Sequence, residues 1–232
     1  MCYKEKAMEK NIIFPHFCEA QKISPPRREI LRYMACKKEG TSEKNLIDEF
    51  LPRALSAINP RGSFGFFNIE IKENNCYIGN AKIKSNNLSK NLNGCKEAVV
   101  FALSIGAEAD RLIQKYSLAR PSAAFCINAI LTAAIEEYAD LFCKEMRQMF
   151  LKEELFCRPR FSPGYGDLSL CHQPFFLELV NASRLCGINL TKSLMMTPSK
   201  SITAIMGVCE NNLNCNKSGC EVCKNADCEF RR

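Results

Sequence analysis

Residues 158–173, RPRFSPGYGDLSLCHQ, combine side chains that could bind a small molecule. Arg160 offers a planar guanidinium with five N–H donors, which suits a carboxylate. Tyr165 adds an aromatic face and a hydroxyl, and Pro163 and Gly164 fix a turn whose backbone can approach a ligand closely. This loop therefore suits a small zwitterion with a carboxylate and a cationic or aromatic part. Composition alone favours the plainer interpretation, a tight connector with an exposed arginine.

The cysteines at the end of the chain form a second candidate site. The chain has fifteen cysteines, and the last four follow the spacing Cys215-x4-Cys220-x2-Cys223-x4-Cys228. Thiolates clustered in this way can hold one Zn²⁺ ion or an iron–sulfur cluster. We expect these four to be metal ligands, with zinc and an iron–sulfur cluster equally open. The alternative is an unstructured, reduced tail.

Polar residues near the loop and before the last apolar segment offer less specific chemistry. His172 lies beside the loop, where a metal or acid–base role is conceivable but a satisfied or exposed histidine is the favoured interpretation. Ser199 and Lys200, in the sequence TPSKS, could contact a ligand or a partner. The alternative is a turn before a strand, capped by Thr197 and Ser199, and the sequence leaves both open.

Composition and charge narrow the function classes. The 232 residues carry 32 Lys and Arg against 25 Asp and Glu, a formal net charge of +7, but basic residues mostly alternate with acidic ones, as in KEKAMEK. Nucleic-acid binding is therefore not expected. The sequence also lacks a Walker A loop, a G-x-G-x-x-G motif after a strand and an H-E-x-x-H motif, which are signatures of common enzyme classes.

The distribution of apolar residues argues against a membrane span. The longest nearly apolar stretch, residues 98–107, is about half of the ~20 residues that a bilayer requires. The start of the chain, MCYKEKAMEKN, has charges of both signs and no apolar segment typical of a secretory signal. We therefore expect a cytoplasmic protein with no membrane partner and no disulfide framework.

Helices and strands must both contribute to positioning the candidate residues. The alternation in FGFFNIEIK, followed by ENN and CYIGNAKIK, predicts a β-hairpin. A broad apolar face predicts a central helix over residues 122–152, and a further helix over residues 173–186 is closed by Gly187. Strands are expected over residues 98–105 and in SITAIMGV. The hairpin favours an antiparallel sheet and hence an α+β fold.

The loop sequence also carries a family resemblance. RFSPGYGDLSL, followed further along by SLMMTPSKSITAIMG, resembles the activation domain of cobalamin-dependent methionine synthase, and more closely the free-standing members of that family. The similarity extends to LSKNLNGCKEAVVFALSIGAEADRLIQKYS, to the helix with Ile135, Glu136 and Glu137, and to a cysteine-bearing tail. It therefore runs from about residue 24 to the end of the chain.

The resemblance implies a domain organisation. Residues 24–208 would form an S-adenosylmethionine-binding domain of the activation-domain type, a twisted antiparallel sheet with long helices. Residues 209–232 would be a small cysteine-rich module that binds metal. Residues 1–23, which precede the resemblance, are expected from their own sequence to be a loosely held N-terminal arm.

The resemblance also implies a set of ligand contacts. In this family the arginine of the R-x-x-P-G-Y motif holds the methionine carboxylate of S-adenosylmethionine, and here that residue is Arg160. The Ser162 backbone would meet the adenine or amino-acid part, and Tyr165 would pack against the ligand. Glu136 or Glu137 would approach its amine, with Glu137 taken as the contact. A sulfonium beside an aromatic face gains about 0.5–2 kcal/mol. The full set of ligand contacts implied is Arg160, Ser162, Pro163, Gly164, Tyr165 and Glu137.

The chemistry implied by the family is reductive methylation of cobalamin, a component of methyltransferase activity in methionine biosynthesis. Inactive Co(II) receives an electron, and the resulting Co(I) attacks the S-methyl group, so no catalytic side chain is expected and the protein positions the methyl group. Neither His16 nor His172 follows an Asp by two positions, as a D-x-H-x-x-G cobalamin-ligand motif requires. The corrinoid is therefore expected on a separate methionine synthase or other corrinoid protein, with a flavodoxin or ferredoxin as candidate electron donor.

Two other classes of function stay open at this point. A redox protein could reduce corrinoid cofactors through an iron–sulfur or other metal centre in the cysteine tail, and tail iron with charge-transfer absorption would favour it. A non-catalytic module could dock on a corrinoid protein, and partner binding that S-adenosylmethionine leaves unchanged would favour that.

Overall fold

The structure is a computed structural model that describes residues 11–212. Its helices are α1 (Arg27–Tyr33), α2 (Thr41–Ser56), α3 (Asn86–Asn91), α4 (Ala107–Ser117), α5 (Pro121–Leu151), α6 (Gln173–Leu179) and α7 (Ala182–Cys186). Its strands are β1 (Ile13–Phe17), β2 (Arg61–Lys72), β3 (Asn75–Ile78), β4 (Ala81–Lys84), β5 (Glu97–Ser104), β6 (Phe156–Cys157), β7 (Asn189–Leu190), β8 (Met196–Thr197) and β9 (Ser201–Cys209).

Seven of these strands form one antiparallel sheet in the order β4-β3-β2-β5-β9-β6, with β1 also paired to β2. Strand β2 spans 12 residues, so its first half pairs with β1 and its second half with β3. Strands β7 and β8 form a separate two-stranded sheet. The predicted hairpin is present as β2 and β3, and the predicted α+β fold with an antiparallel sheet and long helices is confirmed.

Helices cover both faces of the sheet. Strand β5 is apolar at nearly every position, EAVVFALS, because a strand with two covered faces has no solvent side. Its odd-numbered apolar residues pack in a core with α1, α2, α4 and α5, and its even-numbered ones pack in a second core with α3, α6 and α7. None of the helices within residues 11–212 is both long and apolar enough to cross a bilayer.

Helix α5 is the element that organises the first core, and its predicted extent is confirmed to within one residue at each end. Pro121 stands in its first turn, where a missing N–H does not matter. On the inner side, the Phe142 ring lies 4.7 Å from that of Phe101 and 5.4 Å from that of Phe64, between centroids. The other side of α5 is therefore free to carry polar residues.

Residues 13–17 correct the prediction of a loosely held arm, because they form strand β1. His16 is 8% exposed, with Nδ1 2.9 Å from the Tyr138 hydroxyl and Nε2 3.1 Å from the Glu145 carboxylate. Burial raises the pKa of Tyr138, so its hydroxyl stays protonated. These contacts between β1 and α5 come from residues more than a hundred positions apart, which local sequence patterns do not reveal.

The single helix predicted over residues 173–186 is instead two helices, α6 and α7. The break falls at Asn181, which has a φ of 52° in the left-handed region that asparagine tolerates better than most residues. Gly187 closes α7 with a φ of 69°, as predicted.

Candidate functional site

Backbone pairing along β9 fixes the position of Arg160. After β6 the chain stays beside β9, where the Phe161 and Ile205 backbones exchange two N–H···O bonds of 2.9 Å. Three residues before Phe161, the Arg158 N–H donates to the Gly207 carbonyl at 2.8 Å. Arg160 is thereby held at the margin of the sheet, next to α5.

The Arg160 guanidinium binds two carboxylates of α5. Its Nη2 donates to Glu136 Oε2 at 2.6 Å and its Nη1 to Asp140 Oδ1 at 2.7 Å, with Cys143 Sγ 4.0 Å away. Glu136 and Asp140 are one helical turn apart and so present their carboxylates to the same cation. Burial opposes the charge of Arg160, but the facing Cys143, Asp140 and Glu136 outweigh it and raise the pKa of the guanidinium. The planar fork that the sequence suggested is therefore charged and oriented.

A small acidic cleft lies beside this ion pair, where α1 meets α5. It has a volume of about 180 Å³ and is lined by Pro26, Glu29, Ala133, Glu136, Glu137 and Asp140. The lining thus carries four carboxylates and no basic residue. Arg160 pairs with Glu136 and Asp140 of this lining, and Arg32 Nη2 lies 2.8 Å from Glu29 Oε2. Such a lining favours a cationic ligand group.

The structure brings together only part of the predicted ligand set. Arg160 pairs with Glu136, and Glu137 lines the cleft next to it. The other predicted contacts follow Arg160 in the chain and do not line the cleft. They are Ser162, Pro163, Gly164 and Tyr165. Glu29 and Asp140 were missed by the sequence analysis because only the packing of α1 and the loop against α5 brings them to the site.

The loop after Arg160 is a tight turn with an exposed aromatic residue. The Tyr165 N–H donates to the Ser162 carbonyl at 3.1 Å, and the Gly164 N–H donates to the Leu168 carbonyl at 2.8 Å. Gly164 has a φ of 93°, which favours glycine, and Tyr165 is 63% exposed. The turn therefore presents the Tyr165 ring to solvent.

Asp167, which the sequence analysis did not single out, ties this loop to the start of α3. Its Oδ2 accepts from the Asn86 N–H at 2.8 Å, its Oδ1 accepts from the Asn87 N–H at 3.1 Å, and the Ser85 hydroxyl also donates to it. Gly166 has a φ of 54°, which favours glycine, and a β-carbon there would push the Asn87 amide aside. The loop is thus anchored to an element on the opposite face of the sheet from α5.

Replacing Asp167 with alanine should lower the free energy of unfolding by about 1–2 kcal/mol at pH 7, as for loss of a helix cap. Slight desolvation raises the pKa of the exposed Asp167, but hydrogen bonds from Ser85, Asn87 and Asn86 outweigh it and lower that pKa. Its contribution is therefore present above the unfolded value of about 3.9 and is lost as the pH falls through the lower folded pKa. Urea unfolding between pH 7 and pH 2 measures this.

The control for this prediction is Glu178→Ala, an acidic residue exposed on α6. It should change the free energy of unfolding by less than about 0.5 kcal/mol. A deficit in the Asp167→Ala variant that stays constant down to the lowest pH would contradict the anchoring role of the carboxylate.

Ser199 and Lys200, which the sequence left open, have different partners. Asp110 accepts from the Ser199 N–H at 2.8 Å and from its hydroxyl at 2.5 Å, so Ser199 anchors the turn before β9. Lys200 instead reaches α5, where its Nζ donates to Asn128 Oδ1 at 2.7 Å and to Thr132 Oγ1 at 2.9 Å.

The structure gives no metal centre within residues 11–212, where no group of three or more His, Cys, Asp and Glu side chains is placed to hold an ion. His172 ends a single-turn helix and is half-buried. The cysteines of this part of the chain are free thiols. The predicted ligands, Cys215, Cys220, Cys223 and Cys228, lie outside the described residues.

Comparison with known proteins bears on the fold. No protein-family model matches the chain, and no curated protein matches it in sequence. Among solved structures, the chain is similar to the crystal structure of the MetH reactivation domain bound to AdoHcy, with a TM-score of 0.64 and 15% sequence identity. The match covers 85% of this chain and 78% of that chain. The chain therefore has the fold of the MetH reactivation domain.

Proposed function

We propose that this protein binds S-adenosylmethionine and supports the reductive remethylation of cobalamin carried by a separate methionine synthase or other corrinoid protein. The observation that carries the proposal is the pairing of Arg160 with helix α5 in a fold that the AdoHcy-bound MetH reactivation domain shares. AdoHcy is S-adenosylmethionine without its methyl group, so a ligand of this shape is compatible with the fold.

The charges of the site support a ligand that carries both positive and negative groups. S-adenosylmethionine has a sulfonium, an ammonium and a carboxylate. The acidic lining suits the two cations, with Glu137 as the proposed partner of the ammonium. Arg160 is the proposed partner of the carboxylate, and the Tyr165 ring can cover the sulfonium.

The size of the cleft indicates how such a ligand must lie. Ligand pockets commonly measure about 300–1,000 Å³. The cleft of about 180 Å³ therefore holds only part of S-adenosylmethionine. We propose that the rest extends along the turn formed by Ser162, Pro163, Gly164 and Tyr165, which directly follows Arg160 in the chain.

The protein's own part in the reaction is to hold the methyl donor in place. When the corrinoid partner is docked and reduced, its cobalt supplies the nucleophile, and the thioether AdoHcy is released. Holding the donor at a fixed orientation makes the transfer effectively unimolecular. The acidic cleft favours the cationic donor over the neutral thioether, so product release follows from the loss of charge.

Methyl transfer tests this proposal. We would mix the full chain with methyl-labelled S-adenosylmethionine, a Co(II) corrinoid protein and a chemical reductant, and follow label on the corrinoid. The expected result is label transfer that depends on the protein and saturates with S-adenosylmethionine. Transfer at the same rate without the protein would contradict the proposal, and complex formation without any transfer would favour the docking module.

A further inference from the structure

Lys200 is a cation held by neutral groups. Its Nζ donates to the Asn128 side-chain carbonyl at 2.7 Å and to the Thr132 hydroxyl at 2.9 Å, and among the described residues no carboxylate lies within 4.0 Å of it. Burial lowers the pKa of Lys200, and the more distant Asp110 only partly opposes this. An ammonium has three N–H donors, so one remains for a further acceptor.

The backbone around Lys200 is fixed before any ligand arrives. Ser199, directly before it, is bound twice by Asp110, and the Lys200 carbonyl accepts from the Ile105 N–H at 3.1 Å. Lys200 therefore extends from a rigid position at the start of β9 toward α5. A cation fixed in this way loses little conformational entropy when it binds an anion.

Lys200 and Arg160 reach neighbouring turns of the same helix. Their partners on α5, Thr132 for Lys200 and Glu136 for Arg160, are four positions apart. Side chains at this spacing lie about 5–6 Å apart on one face of a helix. Both cations are therefore held over the same face of α5, about one helical turn apart.

The local charge explains why a second cation is needed. Arg160 together with Glu136 and Asp140 carries a net charge of −1 at neutral pH, so this group by itself repels a carboxylate. Lys200 brings no acidic partner of its own within salt-bridge distance among residues 11–212. Its charge therefore compensates an incoming carboxylate, which Arg160 can then orient through its fork.

We propose that Lys200 is a ligand-binding residue that contacts the carboxylate of the methyl donor, which lies between Lys200 Nζ and the Arg160 guanidinium over the Thr132–Glu136 turn of α5. The proposal rests on the proposed function and names the part of the ligand that this cation recognises. It assigns Asn128 and Thr132 the role of holding the ammonium in position.

This assignment can be tested by comparing two proteins, each with two ligands. We would titrate S-adenosylmethionine and its decarboxylated form, which lacks only the carboxylate, into the wild-type chain and Lys200→Met by calorimetry. Lys200→Met should weaken binding of S-adenosylmethionine at least tenfold and binding of the decarboxylated ligand less than twofold. Lys192→Met, an exposed lysine between β7 and β8, is the matched control and should leave both affinities unchanged.

Two further variants separate ligand contact from folding. Lys200→Arg keeps the charge and should retain most of the affinity for S-adenosylmethionine. Asn128→Asp keeps Lys200 but gives it a counter-ion, so it should weaken S-adenosylmethionine binding severalfold without loss of the lysine. Thermal unfolding of each variant establishes that it is folded.

The outcomes distinguish this inference from the proposed function. If Lys200→Met weakened the binding of both ligands equally, or of neither, the role of Lys200 would be overturned. Binding of S-adenosylmethionine by the wild type would be unaffected by that result. Failure of the wild-type chain to bind either ligand would overturn both.

Discussion

Replacing Arg160 with alanine is expected to weaken S-adenosylmethionine binding more than tenfold. A charge-assisted hydrogen bond to a carboxylate contributes about 1.5–3 kcal/mol, and each 1.4 kcal/mol corresponds to a factor of about ten in the dissociation constant. The change also leaves Glu136 and Asp140 without the guanidinium that now binds both, so the site becomes more repulsive to a carboxylate. Calorimetric titration of wild type and variant measures the difference.

Two variants serve as comparisons for this prediction. Arg184→Ala removes an exposed arginine on α7 and should leave the affinity unchanged. Arg160→Lys keeps the charge but not the fork, so its affinity should lie between those of wild type and Arg160→Ala. If a folded Arg160→Ala protein bound S-adenosylmethionine as tightly as the wild type, the ligand would not be bound by Arg160, and the prediction would be wrong.

Replacing Phe142 with alanine is expected to lower the free energy of unfolding by about 3–5 kcal/mol. The Phe142 side chain is 1% exposed, and its ring contacts those of His16, Phe64 and Phe101 at centroid distances of 4.7–5.4 Å. Truncation would leave a cavity between α5 and the sheet that a rigid aromatic cluster cannot close. Chemical denaturation of the purified variant gives the value.

Phe125→Ala is the matched control for this prediction, because it makes the same change on the same helix. Phe125 is 50% exposed, so its loss should cost less than about 1 kcal/mol. Similar losses for the two variants would contradict the account of α5 as the helix whose inner side is packed on the sheet and whose outer side carries the site.

The fold could be predicted where local patterns are strong. The apolar face of α5 repeats with the helical period over 31 residues, and the β2–β3 hairpin alternates on each side of a short polar turn. Strand β1 is different, because its five residues are held by pairing with β2 and by contacts of His16 with Tyr138 and Glu145, which lie far along the chain. The break between α6 and α7 depends on one left-handed residue, Asn181, which helix periodicity does not register.

The candidate site was accessible from the sequence only in part. The loop composition indicated Arg160 as an anion-binding group, but nothing local revealed that its donors already bind two carboxylates of α5. Glu136 and Glu137 differ by about 100° around the helix, so choosing between them required the packing of the loop. Lys200 becomes interpretable only once Asn128 and Thr132 are seen beside it.

The most direct test of the central claim is a calorimetric titration of S-adenosylmethionine into the full wild-type chain. We predict saturable binding at one site per chain. Absence of binding, both as purified and after loading with zinc or iron, would contradict the account and leave a redox function of the cysteine-rich tail as the better explanation.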